Sequence, residues 1–184
     1  LCFGWIDGRL NRVDDERFTI RFTPRRPKSR WSARNVERVE ALNGEARLND
    51  AGCAYFADRI RNVLITRLRA EDWFRRHPEI LEEEIGAPLA IVGLPRTGTT
   101  MMHRTISADH RMYSPLWYEV RYPVPMPGTD FASGSDPRIA VAEAEVRAML
   151  EASPELASIH PMDARGPDED IMLLEQSFFS TVPE

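Results

Sequence analysis

Cysteine is scarce in this 184-residue sequence: Cys2 and Cys53 stand apart, with no ligand-like spacing to each other or to a histidine. That speaks against a disulfide framework and against a cysteine-based zinc site. Long apolar runs are lacking as well. No stretch approaches the roughly 18 uncharged residues that a membrane-spanning helix needs, so no stable membrane insertion is expected. A cytoplasmic protein is the default reading. The chain does not begin with methionine, which leaves a lost upstream signal open. An excess of positive charge is also missing, since the net charge is -5, and this argues against nucleic acid as a partner. Residues 1–85 hold 17 Lys and Arg against 15 Asp and Glu, and the remainder 7 against 14, so a mildly basic lead-in precedes an acidic body. The dense basic run Arg25-Arg26-Pro27-Lys28-Ser29-Arg30 reads as a solvated loop.

What is present is the composition of a folded protein, with 42% hydrophobic and 29% charged residues. Residues 1–31 show no sustained period and are expected to be an irregular N-terminal segment. Residues 32–86 read as a helical lead-in. Ser32 caps a first helix ending near Gly44. Asn49 or Asp50 caps a second, whose apolar positions Tyr55, Phe56, Ile60, Val63, Leu64 and Leu68 recur at steps of three and four. A short helix starts at Pro78 and stops at Gly86. The pattern changes at residue 87. Leu89-Ala90-Ile91-Val92 is a compact apolar run of the kind buried on both faces of a parallel sheet. A glycine-bearing loop and a helix from about Thr99 follow it, giving a strand, loop and helix unit. Residues 113–137, broken by Pro123, Pro125 and Pro127, predict a long connection without regular helix. Helices are expected from Pro137 to about Ala152 and from Pro167 to about Ser180. Only one core strand is evident where a doubly wound sheet needs several, so residues 87–184 are expected to be the first part of a larger α/β domain.

The loop Gly93-Leu94-Pro95-Arg96-Thr97-Gly98-Thr99-Thr100 carries the chemistry. Gly93 and Gly98 have the spacing of a Walker A loop, but the phosphate lysine that should follow the second glycine is Thr99. The cation sits earlier, at Arg96. Backbone N–H groups of residues 97–100, at the positive end of a helix, can hold an anionic phosphate. The hydroxyls of Thr97, Thr99 and Thr100 offer further donors. Arg96 can neutralise charge that develops on a leaving oxygen.

Pro95-Arg96-Thr97-Gly98-Thr99-Thr100 resembles the 5'-phosphosulfate loop of sulfotransferases, which reads Pro-Lys-Ser-Gly-Thr-Thr in cytosolic members and Pro-Arg-Ser-Gly-Thr-Thr in tyrosylprotein ones. The whole octapeptide looks most like a bacterial branch of that superfamily. His77-Pro78-Glu79-Ile80, Trp117-Tyr118-Glu119, Asp136-Pro137-Arg138-Ile139-Ala140 and Ile159-His160-Pro161-Met162 support the branch, and the resemblance covers about residues 45–184. It implies an α/β, P-loop-like sulfotransferase fold with a parallel sheet and flanking helices, here its N-terminal part after a helical lead-in. It also implies metal-independent transfer of a sulfuryl group from 3'-phosphoadenosine 5'-phosphosulfate (PAPS) to a hydroxyl or amine. Arg96, Thr97, Gly98, Thr99 and Thr100 would hold PAPS, with Arg96 catalytic as well. The family's 3'-phosphate site lies further along the chain than residue 184, which again suggests a fragment.

A general base must reach the attacking oxygen. Glu119, after the loop helix, is the best match to the glutamate of the tyrosylprotein relatives, although a structural role weighs almost equally. His160 is the rival, because cytosolic relatives use histidine. Glu169 and Asp170 are expected in the first turn of the last helix, where the dipole alone favours acids. The Pro-, Met- and aromatic-rich residues 112–131 suggest an apolar small-molecule or lipid acceptor. A homo-oligomer is left open. A P-loop kinase or ATPase, or a non-catalytic helical interaction protein supported by residues 32–85, remains as an alternative.

Overall fold

The computed structural model describes residues 41, 42, 44–94 and 97–177. The expected irregular segment of residues 1–31, most of the helix begun at Ser32, and Pro95 and Arg96 lie outside them. The chain divides into two compact units, the first of residues 1–65 with 174–184 and the second of residues 66–173.

The longest element, α1, is Asp50–Arg76. Asn49 caps it, its Oδ1 accepting the Gly52 N–H at 2.8 Å. Asp50 at the start and Arg75 and Arg76 at the end suit the helix dipole. Its buried face is Ala57, Ile60 and Val63, three of the periodic positions or their neighbours. Within the first unit Arg59 holds both Glu175 oxygens through one guanidinium edge, Nε on Oε1 and Nη2 on Oε2, the latter at 3.1 Å, while Nη1 donates to the Tyr55 hydroxyl. A 3-10 turn at Pro78–Glu82 takes the place of the expected short helix.

In the second unit, α2 (Thr99–Ser107) grows out of the glycine loop, as the pattern predicts. The helix α3 (Trp117–Arg121) was not expected in the proline-rich connection. It forms because Glu119 reaches back from the third helical position to the N–H of Leu116, half of a capping box, and it stops before Pro123. Helix α4 (Pro137–Ala152) has the predicted limits. Asp136 caps it by accepting the Arg138 N–H at 3.0 Å, and Pro137 occupies the first turn.

The core of this unit sits between α3 and α4. Trp117, Ala142, Val146 and Ala164 form it, with Tyr118, Tyr122, Leu150, Met162 and Met172 packed around them. Arg138 is buried beside it, its guanidinium held by Asp136, bonded to the Tyr122 carbonyl at 3.0 Å and lying over the Tyr118 ring. Residues 164–168 run back along the start of α3. The Trp117 and Tyr118 N–H groups donate to Gly166 and Ala164, and the Asp168 N–H donates to Pro115.

Two short helices follow, α5 (Leu156–Ile159) and α6 (Ile171–Leu174). The start of α6 corrects the expected helix from Pro167. Pro167 is instead bridged to Leu116 and the Asp168 N–H is taken by Pro115, so Glu169 and Asp170 precede the helix rather than fill its first turn. Among the described residues the ladder contacts are isolated bridges, Leu116 with Pro167 and Asp130 with Ser135. Residues 89–92 have no strand partner there, and Leu89 and Val92 are exposed. The sheet half of the α/β expectation is therefore not seen among the described residues, for the physical reason that a doubly buried strand exists only between neighbours.

Candidate functional site

The loop has the shape its glycines impose. Gly98 caps α2 with φ +89°, a left-handed conformation that costs a residue with a Cβ. Space is not its constraint, since an added Cβ there meets nothing within 4 Å. Gly93 is the opposite case. A Cβ on it would lie 2.7 Å from the Thr99 methyl and 3.0 Å from the Thr97 hydroxyl, so the loop folds tightly back over it. The Thr97 hydroxyl donates to the Leu94 carbonyl at 2.6 Å and closes the turn. Its single hydrogen is thereby used, and in this conformation Thr97 offers a phosphate its backbone N–H rather than its hydroxyl.

No side chain caps the N-terminus of α2. Its first N–H groups have no carbonyl within the helix to bond, so they and the dipole are available to an anion. Gly93 as a cradle that a Cβ would fill, and an uncapped, half-buried Thr99-Thr100 start, fit the 5'-phosphate end of PAPS.

The far end of α2 ties this loop to the candidate bases. The Ser107 and Ser114 hydroxyls share a hydrogen bond of 2.6 Å, which draws the segment before α3 against the helix. Arg104, on α2, donates to the Pro161 carbonyl next to His160. Together with the pairing of residues 115–118 and 164–168, these contacts place Glu119 and His160 on segments that both attach to the loop helix.

Glu119 is half-buried and accepts three hydrogen bonds. Its Oε2 accepts the Tyr113 hydroxyl at 2.7 Å and the Leu116 N–H at 2.8 Å, while Oε1 accepts the Tyr118 hydroxyl at 3.2 Å. Partial desolvation of the hydroxyl end of Tyr113, and then its bond to the Glu119 carboxylate, push this phenol up to about 12. The Tyr118 phenol is raised for the same two kinds of reason. The Nε2 of His160 lies 3.7 Å from Oδ2 of the buried Asp168, beyond hydrogen-bond range. Asp168 Oδ1 accepts the Glu169 N–H at 2.7 Å, and neither Glu169 nor Asp170 joins the group around Glu119.

Trp117 is core, 3% exposed, whereas Met101 and Met102 are exposed. Tyr113, Tyr118 and Arg104 were not singled out as site residues from the sequence. Tyr118 entered there only within the motif Trp117-Tyr118-Glu119, and Tyr113 only toward an aromatic-rich composition.

A glycine loop at an uncapped helix N-terminus is an arrangement that can hold a phosphate, and a carboxylate is fixed on the next helix. Residues 88–184 match the model of the sulfotransferase family, and the chain belongs to that family. Residues 1–55 match a model described as a domain of unknown function (DUF8412). The structure is similar to that of sulfotransferase STF9 from Mycobacterium avium, with 28% identity and a TM-score of 0.67 over 84% of this chain. It is also similar to that of sulfotransferase STF1 from Mycobacterium tuberculosis H37Rv, with 27% identity and a TM-score of 0.64 over 80% of this chain. The chain spans 40% of the length of each of those structures. No curated protein matches the chain. Among the described residues no helix is long and apolar enough to cross a membrane.

Proposed function

We propose that this chain is the 5'-phosphosulfate half of a PAPS-dependent sulfotransferase acting on a hydroxyl or amine of a small-molecule or lipid acceptor. The observation that carries the reading is the loop itself: Gly93 leaves no room for a side chain, Gly98 turns left-handed, and α2 begins without a side-chain cap. PAPS, when bound, supplies the sulfuryl group and a good leaving group. The chain's own residues bind and orient. The N–H groups of Thr97, Gly98, Thr99 and Thr100 hold the 5'-phosphate, and Arg96 neutralises charge on the bridging oxygen. Glu119 accepts the acceptor's proton as its oxygen attacks sulfur. No metal has a place in this scheme, since Arg96 serves where a magnesium-dependent loop uses a lysine and an ion. The domain division of residues 1–31, 32–86 and 87–184, a cytoplasmic location and a homo-oligomer belong to the same proposal.

Calorimetry with 3',5'-adenosine diphosphate (PAP), then with ATP and magnesium, tests the class. PAP binding alone supports the sulfotransferase reading, and magnesium-ATP binding in its place overturns it in favour of a kinase or ATPase. Arg96→Ala should weaken PAP at least tenfold, as loss of a charge-assisted contact of about 1.5–3 kcal/mol implies. Unchanged PAP affinity in Arg96→Ala removes the loop assignment. Glu119→Gln should cut turnover by about a hundredfold or more with PAP affinity retained, the usual scale for a lost general base. A sulfate-sized mass gain in a metabolite extract incubated with PAPS would identify the acceptor.

A further inference from the structure

We infer that Tyr113 is the positioning residue of the base, anchoring Glu119 through Oε2 so that Oε1 is the oxygen presented to the acceptor. This rests on Glu119 being the base. The two carboxylate oxygens are not equivalent. Oε2 is held from two directions, by the Tyr113 hydroxyl at 2.7 Å and the Leu116 N–H at 2.8 Å. Among the described residues Oε1 has only the Tyr118 hydroxyl, at 3.2 Å, the longest of the three contacts. A carboxylate gripped on one oxygen keeps a fixed plane, and its other oxygen keeps a lone pair for a new donor.

The anchor is itself fixed to the loop helix. Tyr113 precedes Ser114, whose hydroxyl is bonded to Ser107 at the end of α2, so the phenol stands in a chain from the phosphate loop to the carboxylate. Tyr113 is 77% exposed and contributes little to the core, which makes packing a poor account of its placement. The charged and titratable groups facing this cluster are Tyr118 and Glu119 on α3, Asp136 and Arg138 at the start of α4, and Arg165 on the returning segment. Arg138 lies over the Tyr118 ring and is committed to Asp136, so it holds Tyr118 in place and leaves the Oε2 anchor to Tyr113 and Leu116.

In the transfer step the acceptor oxygen forms its bond to sulfur as the bond from sulfur to the bridging phosphate oxygen breaks. That electron pair leaves with PAP. The acceptor proton passes to Oε1, where it displaces the long Tyr118 contact. Tyr113 touches neither reactant and acts through Glu119.

The test compares Tyr113→Phe, Tyr118→Phe and Glu119→Gln in the full chain, with PAPS as donor and 2-naphthol and 1-octanol as probe acceptors. Tyr113→Phe should lower kcat about tenfold with KM for PAPS unchanged, less than the about hundredfold that a misplacement of an ångström can cost, because the Leu116 N–H still holds Oε2. Tyr118→Phe should cost no more than about twofold. Alkaline ultraviolet titration supplies the second readout. A phenol ionising near 12 in the unaltered chain should be missing in Tyr113→Phe and should fall in Glu119→Gln by the share the carboxylate adds to that of desolvation. If Tyr113→Phe keeps kcat within twofold while Glu119→Gln loses it, positioning by Tyr113 is wrong and the base reading stands. Should Glu119→Gln turn over normally, both fall. A Tyr113→Phe that loses thermal stability and raises KM together with its fall in kcat would mark the phenol as merely structural. A chain without turnover and without a phenol near 12 that responds to Glu119→Gln would overturn the anchor itself.

Discussion

Replacing Gly93 by alanine isolates the contact on which the loop's shape depends. Carbon atoms in good contact stand about 3.5–4.0 Å apart, yet the new Cβ would sit 2.7 Å from the Thr99 methyl, an overlap of about 0.8 Å or more. It would also sit 3.0 Å from the Thr97 hydroxyl oxygen. Neither neighbour yields easily. Thr99 is β-branched and sits in the first turn of α2, where its χ1 is restricted, and the Thr97 hydroxyl is held by Leu94. The loop must therefore open, at a cost of about 1–3 kcal/mol, the range for overpacking a tight site. Spread over a phosphate cradle, that corresponds to PAP binding weakened by about 5-fold to 150-fold. Calorimetry on the single variant and on Gly93→Ala with Thr99→Ser separates the mechanism from general damage. Serine lacks the clashing methyl, so the double variant should recover most of the loss, leaving only the 3.0 Å contact. PAP binding unchanged in Gly93→Ala, or a double variant no better than the single one, would refute the argument.

Two further outcomes follow from other residues. Gly98→Ala should lower stability by about 1–2 kcal/mol through its left-handed φ of +89° and not through a clash, and Gly98→Asn should cost less, because asparagine tolerates that conformation; urea unfolding of the three proteins ranks them. Asp136 is held below the usual carboxylate range first by its side-chain bonds to Arg138, against the opposing effect of its own desolvation. A depressed carboxyl adds stability above its unfolded value of about 3.9 and loses it as pH falls from there through the folded value. Thermal unfolding from pH 7 down to pH 2 should thus show a decline below about pH 4 that Asp136→Asn flattens, with the variant already less stable at pH 7; parallel curves would refute the assignment.

The helices were legible because their signals are local. Asn49, Asp136 and Pro137 act on the next turn of backbone, and α1 and α4 begin where those residues place them. Helix α3 is hidden in the sequence because the prolines after it read as a break, and Glu119, open there to a structural role as well as to that of base, caps the helix only once its side chain turns back to Leu116. One side chain does both jobs in the proposal: the bond from the Leu116 N–H that caps the helix also helps to orient the carboxylate. The start of α6 was misjudged for a different reason. Proline at 167 is a sound helix opener taken alone, and what overrides it is the pairing with residues 115–116, which no local pattern announces.

The same distinction governs the site. A glycine loop is readable because each glycine answers a constraint within eight residues: Gly98 its own φ, Gly93 the approach of Thr97 and Thr99. The choice of base is not readable that way, because it depends on which donors surround a carboxylate or an imidazole after the chain has folded back. Glu119 and His160 looked comparable as letters. In the fold they differ in kind, since Glu119 has two donors holding Oε2 and a longer contact on Oε1, whereas the Asp168 carboxylate lies 3.7 Å from His160, too far to orient a ring. A base must hold its geometry before the acceptor arrives, and on that criterion the carboxylate is the better prepared of the two.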